Sequence, residues 1–242
     1  MSVDRHVIWE GCFNARDLGG IGAIDGRRTR WRAVVRSDHL DDVTPAGWSA
    51  LRAHGIRTIV DLRNDDERGR RPEPAADLDV VLFPLDDMGD TEFWQVWASG
   101  PQFGTPLYYR PFIERKPDRC AAAVRAVARA RPGGVVVHCG GGRDRTGLVT
   151  MLLLSLLGVA PEDIASDYEL SYERMHAWYI ARGEDDQHPE LEAFLAGERT
   201  TAREAILATL AAVDIESTLR SGGLTEADLA ALRGRLLGPD GA

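Results

Sequence analysis

The feature that most constrains this chain is a glycine-rich segment between two apolar runs. Residues 138–147 read HCGGGRDRTG. The preceding GGVVV has the β-branched character of a buried strand, and the following LVTMLLLSLLG predicts a buried helix from about Thr146 to Leu157. The segment is therefore expected to form a loop that joins the carboxyl end of a strand to the amino end of a helix.

Strand-like and helix-like runs alternate along the chain. IRTIVDLR (56–63) and LDVVLFPL (78–85) are compact apolar runs, typical of parallel strands buried on both faces. Residues 21–36 predict a hairpin followed by a strand, and the pattern from Pro161 onward is helical. This order predicts one α/β domain over residues 1–242, with a mostly parallel central sheet flanked by helices and a helical C-terminal part.

A segment that mixes glycine, aspartate and aromatic residues follows the second of these strands. Residues 86–105 predict a loop or mobile lid, and a candidate lid extends over 86–115. Its aromatic side chains either stack on an aryl group of a substrate or only pack the segment against the domain; they are Phe93, Trp94, Trp97 and Phe103.

Charge and cysteine content exclude several classes of function. The formal net charge of −9 argues against a general nucleic-acid or anionic-membrane surface. The most apolar stretch, Leu148 to Ala160, is too short to span a bilayer, and no signal peptide is recognisable. Cys12, Cys120 and Cys139 are widely spaced and lack metal-ligand spacing. We expect no metal, no nucleic-acid partner, no stable membrane association and a cytoplasmic location, with secretion without a recognisable signal left open.

The loop has the composition of an anion-binding site. Backbone N–H groups between a strand and a helix N-terminus converge on one point, and the helix dipole adds positive charge there. Glycines let this backbone curl tightly, and an arginine fork matches two phosphate oxygens. The site is expected to bind a phosphate-like dianion. Its predicted phosphate-binding residues are Gly140, Gly141, Gly142, Arg143, Arg145, Thr146 and Gly147.

Cys139 lies at the start of this loop, where the same field favours thiolate over thiol. A thiolate beneath a phosphoryl group is a nucleophile, and its expected product is a phosphocysteine. A carboxylic acid is then needed to protonate the leaving group and later to activate water. His138 is expected to hydrogen-bond nearby backbone, with proton transfer as the alternative role. Thr146 is expected to donate a hydrogen bond to the sulfur, to cap the helix, or both.

The loop resembles the signature of the cysteine-dependent tyrosine and dual-specificity phosphatases. A narrower resemblance covers most of the chain, because five motifs recur in order in the bacterial tyrosine/serine protein phosphatases of the PtpB type: NARDLGG, VVRSDHL, GIRTIVDLRNDDE, HCGGGRDRTG and SDYELS. The resemblance implies a phosphatase α/β fold without metal or organic cofactor. It also implies Cys139 as nucleophile, Arg145 as phosphate clamp and Asp144 as acid/base residue. Arg143 stands where this family usually has lysine, which leaves phosphoinositide use open.

Other carboxylates compete for the role of general acid. Asp144 ranks first, and Asp61 and Asp86 follow. Asp61 ends a predicted buried strand and should face the same opening, unless it only forms an ion pair with a nearby arginine. Asp86 occupies a place like that of the acid-bearing loop in dual-specificity phosphatases, unless it is only a solvated charge. Arg16 and Asp17 are expected to brace the site.

These residues predict a metal-independent phosphomonoester hydrolase that acts through a phosphocysteine and releases inorganic phosphate. Phosphotyrosine in proteins is the leading substrate class, with dual specificity open. The first alternative keeps the chemistry but uses a small molecule such as a nucleotide, sugar phosphate or phosphoinositide. The second alternative is a non-catalytic phosphate-binding module, against which the intact cysteine, aspartate and arginine of the loop argue.

Overall fold

The computed structural model describes residues 4–23, 26–68 and 77–237. A mixed sheet lies at its centre in the order β1-β2-β5-β3-β4, and only β1 runs antiparallel to its neighbour. The strands are β1 (Arg16–Asp17), β2 (Val34–Ser37), β3 (Ile56–Asp61), β4 (Asp79–Leu82) and β5 (Gly134–His138). The predicted α/β class with a mostly parallel central sheet is confirmed.

Helices cover both faces of the sheet, and alternate residues of β5 therefore pack into two different hydrophobic cores. Val135 and Val137 belong to one buried cluster and Val136 to the other. The helices are α1 (Pro45–His54), α2 (Thr91–Trp97), α3 (Tyr109–Arg115), α4 (Pro117–Ala128), α5 (Asp144–Leu156), α6 (Pro161–Arg182), α7 (His188–Gly197), α8 (Ala202–Ala212), α9 (Ile215–Ser221) and α10 (Glu226–Leu236). The helical C-terminal part is confirmed. No helix among the described residues combines the length and apolar character required to cross a membrane.

Helix α5 places the glycine loop at the centre of the molecule. It begins at Asp144, two residues before the predicted start, and its apolar residues are buried almost all round. A helix that is apolar on every side must be enclosed by other elements. Here α5 contacts the sheet, α4 and α6, so its amino terminus lies at a fixed position above β5.

Two predicted β elements differ from the structure. Strand β4 was expected to be buried on both faces, but it forms the edge of the sheet and Leu82 is 51% exposed. An edge strand has one neighbour and needs less apolar covering, which the apolar run LDVVLFPL does not reveal. The hairpin expected within 21–36 is present only as an isolated Gly22–Arg28 bridge, and its tip at 24–25 lies outside the described residues.

The segment at 86–105 contains helix α2 and is not a simple loop. Phe93 and Trp94 are buried, and both rings pack against Phe112 at centroid distances of 5.8 and 6.1 Å. The Trp94 indole N–H donates to the carbonyl of Asp86 at 2.7 Å. These contacts favour packing over stacking on a substrate for Phe93 and Trp94, whereas Phe103 is 38% exposed. Motion of the candidate lid at 86–115 stays a prediction.

Candidate active site

The glycine loop leaves the middle of the sheet. His138, the last residue of β5, is paired in register with Ser37 on β2 and with Asp61 on β3. Cys139 therefore follows directly at the carboxyl edge of the three central strands, where sites of parallel α/β folds open. The loop from Cys139 to Arg143 then leads into α5.

The carbonyl groups of the loop are held from outside by neighbouring segments. Each accepts one hydrogen bond: Gly140 from the His39 N–H at 2.8 Å, Gly141 from the Asn14 side-chain amide at 2.9 Å, and Gly142 from Arg36 at 2.8 Å. In a trans peptide the carbonyl and the following N–H point in opposite directions. The amides of Gly141, Gly142 and Arg143 are thereby turned to the other side of the loop, in the arrangement of an anion-binding nest.

Glycine is required at two positions for different reasons. Gly142 has a φ of +68°, and a Cβ there would lie 2.4 Å from the carbonyl oxygen of Ser37. At Gly147 there is no room for a side chain, because a Cβ there would lie 2.6 Å from the Tyr109 hydroxyl. Its N–H donates to the Arg143 carbonyl at 2.9 Å. The prediction that Gly147 binds phosphate is therefore wrong, since its amide is already used in the first turn of α5.

Cys139 is buried, with 3% exposure, and its sulfur accepts a hydrogen bond from the Thr146 hydroxyl at 3.1 Å. The expected Thr146–sulfur contact is confirmed. The alternative role of Thr146 as a helix cap is not confirmed, because α5 begins two residues earlier, at Asp144. His138 is hydrogen-bonded through Nδ1 to the Cys139 carbonyl at 3.1 Å, as expected. Burial lowers the pKa of His138 to about 4, so the ring is neutral at neutral pH.

Arg145 directs its side chain toward two carboxylates. Its Nη1 and Nη2 groups both donate to Glu67, and Nη1 lies 3.1 Å from Asp86. Guanidinium has five N–H donors, and two of its edges can each bind a bidentate anion. Glu67 occupies the edge formed by Nη1 and Nη2. Within the described part of the chain Nε of Arg145 donates to no residue, so the edge formed by Nε and Nη2 is available to a ligand.

Glu67 is a site residue that the sequence did not identify. It ends a 3₁₀ turn, Asp65–Glu67, and its carboxylate also accepts the Asn64 N–H at 2.8 Å. Partial burial opposes its charge, but the hydrogen bonds from Arg145 outweigh it and lower the pKa of Glu67. The only sequence signal was its place at the end of the motif GIRTIVDLRNDDE, where three acidic residues follow one another.

Asp86 lies beside the same guanidinium and is buried, with 1% exposure. The Asn64 side-chain amide donates to it at 3.2 Å. Burial raises the pKa of Asp86 from 3.8 to about 6, although the charge of Arg145 opposes this effect. Asp86 is thus a buried carboxyl that can carry a proton near neutral pH, next to the arginine of the loop.

Asp144 and Arg143 neutralise each other. Arg143 Nε lies 3.2 Å from the Asp144 carboxylate, which also accepts the Tyr168 hydroxyl at 3.3 Å. Burial opposes the charge of Arg143, but Asp144 outweighs it and keeps the pKa of Arg143 above its ordinary value. The Arg143 guanidinium was expected to add a second positive charge next to the phosphate, but it is paired with Asp144 instead. Arg143 can still offer a ligand its backbone amide.

Asp61 forms the ion pair that was the alternative to a catalytic role. It is fully buried, accepts the Arg63 N–H at 3.0 Å, and lies 3.1 Å from the Arg63 guanidinium. Burial opposes its charge, but the hydrogen bonds and the charge of Arg63 hold the pKa of Asp61 below its ordinary value. The structure places Asp61 beneath the loop as an ionised partner.

A buried network behind the loop fixes the residues that hold its carbonyls. Asp167 lies 2.7 Å from Arg36 and 3.2 Å from Arg16, and Arg16 donates to the Asn14 side chain at 2.6 Å. Burial opposes the charge of Asp167, but Arg16 and Arg36 outweigh it and strongly lower its pKa. Arg16 therefore braces the site as expected, and Asp167 is the counterion that sequence reasoning missed.

Asp17 does not brace the site. Its carboxylate accepts the N–H groups of Gly19 and Arg32, both at 2.8 Å, and lies 2.8 Å from Nε2 of His54. Strand β1 is antiparallel to β2, so its second residue lies farther from the loop than its first. The expected role of Asp17 is therefore wrong. Among the described residues no group of His, Cys, Asp and Glu has an arrangement that could hold a metal ion.

Comparison with known proteins decides the family. A model described as the tyrosine phosphatase family matches residues 7–238. The chain belongs to this family. It is 32% identical over 180 residues to a provisionally named tyrosine-protein phosphatase of Cupriavidus necator, covering 70% of this chain and 64% of that protein. It is 30% identical over 141 residues to a tyrosine-protein phosphatase of Nostoc commune, covering 57% and 48%.

A third relative matches nearly end to end. The triple specificity protein phosphatase PtpB of Mycobacterium tuberculosis is 28% identical over 275 aligned positions, which cover 94% of this chain and 98% of that protein. The resemblance to the bacterial PtpB-type phosphatases is thus confirmed. The chain spans between about half and two thirds of the length of the other two relatives.

Proposed function

We propose that this tyrosine phosphatase family member hydrolyses phosphomonoesters through a phosphocysteine on Cys139, with phosphotyrosine in proteins as the leading substrate class. One observation carries the proposal. Cys139 begins a loop whose carbonyls are held by neighbouring segments, which turns the loop amides to the opposite side, where they can bind an anion. Arg145 keeps one edge of its guanidinium for the substrate phosphate, and the Thr146 hydroxyl contacts the sulfur.

The first step transfers the phosphoryl group to sulfur. The Cys139 thiolate attacks phosphorus, the S–P bond forms and the P–O bond to the leaving alcohol breaks. The amides of the loop and Arg145 bind the three equatorial oxygens as charge develops there. Asp86 donates its proton to the departing oxygen, so the alcohol leaves neutral and Asp86 becomes a carboxylate.

The second step regenerates the enzyme. The Asp86 carboxylate takes a proton from water as the water oxygen attacks phosphorus and the S–P bond breaks. Inorganic phosphate leaves and the thiolate is restored, stabilised by the hydrogen bond from Thr146 at 3.1 Å. Each step therefore ends with the groups in the protonation state that the next step requires.

Asp86 fits the role of general acid better than Asp144 or Asp61. Its pKa of about 6 leaves a protonated fraction near neutral pH, and it lies next to Arg145. The Asp144 carboxylate is occupied by Arg143 and Tyr168, and that of Asp61 by Arg63. A general acid must carry a proton at the operating pH, which the lowered pKa of Asp61 opposes and the raised pKa of Asp86 favours.

The nucleophile is tested by Cys139→Ser. This variant should lose hydrolysis of p-nitrophenyl phosphate while it still binds vanadate, because the loop amides and Arg145 remain. Cys12→Ser is the matched control, since Cys12 is a free, half-buried thiol outside the loop. Turnover by Cys139→Ser, or its loss in Cys12→Ser, would contradict the assignment.

The acid is tested by comparing Asp86→Asn with Asp144→Asn on two substrates. Phenol is a poorer leaving group than p-nitrophenol and needs the proton more. Asp86→Asn should therefore lose more activity, about 10²- to 10⁴-fold, with phenyl phosphate than with p-nitrophenyl phosphate. If Asp144→Asn alone shows this selectivity, Asp144 is the acid.

The substrate class is tested by kcat/KM across a phosphotyrosine peptide, a phosphoserine peptide, a phosphoinositide and a nucleoside monophosphate. The names of the relatives in M. tuberculosis and N. commune support a protein substrate with phosphotyrosine. A metabolite turned over far faster than any peptide would replace that substrate class and leave the chemistry unchanged.

A cytoplasmic location fits the three free cysteines and stays part of the proposal.

A further inference from the structure

A cavity lies at the end of the sheet opposite to Cys139. It has a volume of about 610 Å³, within the range of small-molecule sites. Gly134, the first residue of β5, and Gly55, just before β3, line its floor, whereas the catalytic loop leaves the other end of the same strands. The residues that give it chemical character are Arg30, Trp31, Arg32, His54 and Arg235.

The arginines of this cavity lack acidic partners. Among the residues that the structure describes, no carboxylate lies within 4.0 Å of the guanidinium groups of Arg30, Arg32 or Arg235, in a protein whose net charge is −9. Arg235 donates to the carbonyls of Gly133 at 2.7 Å, Arg131 at 3.1 Å and Ala130, and its buried Nε has no partner in the part of the chain that the structure describes. These three guanidinium groups thus have no ion-pair partner among the described residues, which favours an anionic ligand.

Trp31 offers one face of its indole ring. The ring packs on the backbone of Gly19 and Gly20, where added Cβ atoms would lie 2.7 and 2.9 Å from ring carbons. The residue is nevertheless 45% exposed. An indole that rests on glycine backbone and is open to solvent can stack with a planar group.

The motif NARDLGG builds this cavity as well as the catalytic loop. Asn14 and Arg16 serve the loop, whereas Asp17 accepts the Arg32 N–H at 2.8 Å and binds His54, which also lines the cavity. Arg32 has a φ of +63°, a conformation that non-glycine residues rarely adopt. Such strain persists where the surrounding structure enforces it, and it concentrates at ligand sites.

We propose that this cavity binds a nucleotide, with the phosphates on Arg30 and Arg32, Arg235 adding positive charge from the cavity wall, and the base stacked on Trp31. Arginine forks match phosphate oxygens, and a purine or pyrimidine supplies the planar group that the open indole face accepts. The site is separate from the catalytic one because it lies at the amino ends of the parallel strands. It does not depend on the phosphatase activity proposed above.

The test is isothermal titration of the full chain carrying Arg145→Met, which removes the phosphate fork of the catalytic loop. ADP, pyrophosphate and adenosine are the probes. ADP should bind, and adding Arg32→Gln should weaken ADP and pyrophosphate at least tenfold, since a hydrogen bond to a charged group is worth about a factor of ten or more. Adding Trp31→Leu should weaken ADP about fivefold or more and leave pyrophosphate unchanged.

Arg199→Gln is the matched control, because Arg199 is also exposed and has a φ of +58° but does not line the cavity. It should leave every affinity unchanged, and thermal melting should show that all variants fold. The proposal is overturned if ADP does not bind, or if Arg32→Gln and Arg199→Gln weaken ADP equally. It is also overturned if pyrophosphate binds as tightly as ADP and Trp31→Leu changes neither, which would show an anion site without base recognition.

Discussion

Replacement of Asp86 by asparagine should remove a specific pH dependence from the stability of the protein. Asp86 is buried, with 1% exposure, and burial raises its pKa from 3.8 to about 6. In the unfolded chain the carboxyl ionises near its ordinary pKa, while in the folded protein it holds its proton to a higher pH. The folded state therefore loses stability as the pH rises from about 4 to about 6, and it carries the full cost above that range.

The size of the cost follows from the shift. A difference of about two pKa units corresponds to about 3 kcal/mol at pH values above both pKa values. Asparagine is similar in shape and cannot ionise. The free energy of unfolding of Asp86→Asn, relative to that of the wild type, should therefore increase by about 2–3 kcal/mol between pH 4 and pH 7.5.

Urea unfolding at pH 4, 5, 6 and 7.5 measures this difference directly. Asp66→Asn is the control, because Asp66 is an exposed carboxylate close in sequence to the site, and its curve should follow the wild type. Parallel pH dependences for Asp86→Asn and the wild type would refute the reasoning, since they would show that Asp86 ionises equally in the folded and unfolded states.

Further predictions concern catalysis. Glu67→Gln should lower kcat/KM a few-fold, because the Glu67 side chain is one third exposed and its ion pair with Arg145 is partly screened. The same variant should move the basic limb of the kcat/KM profile to lower pH, because the charge of Glu67 adds to burial in raising the pKa of Asp86; an unmoved limb would contradict this. Thr146→Val should slow release of phosphate from Cys139 about tenfold or more and produce a burst of p-nitrophenol, whereas a uniform fall without a burst would place Thr146 in the first step. A chelator should not change the rate with p-nitrophenyl phosphate, and metal-dependent recovery of lost activity would argue against the cysteine mechanism.

The glycine loop and its place in the sheet could be predicted because their causes are local. A β-branched run, three glycines and an apolar helix specify strand, turn and helix within one short segment, and Cys139 and Arg145 are fixed to that backbone. The contact between Thr146 and the sulfur follows from the same geometry. The sequence also identified Asp86 as one of three candidate acids.

The partners of these residues could not be predicted because they depend on how distant segments meet. Glu67 reaches Arg145 across 78 positions of the chain, and nothing in the sequence separates it from the two acidic residues before it. The lowered pKa of Asp61 depends on its contacts with Arg63, and the raised pKa of Asp86 depends on burial. The expected role of Asp17 was wrong because the two residues of β1 contact different parts of the protein. Arg16 contacts the residues behind the loop, whereas Asp17 contacts Arg32 and His54.

Rapid-quench trapping of the covalent intermediate tests the central claim most directly. The enzyme is mixed with p-nitrophenyl phosphate, quenched in acid within one turnover and digested for mass spectrometry. We predict one phosphoryl group on the peptide that contains Cys139, in an amount that matches the p-nitrophenol released in the first turnover. Release of p-nitrophenol without phosphate on that cysteine, or with phosphate on another residue, would contradict the account.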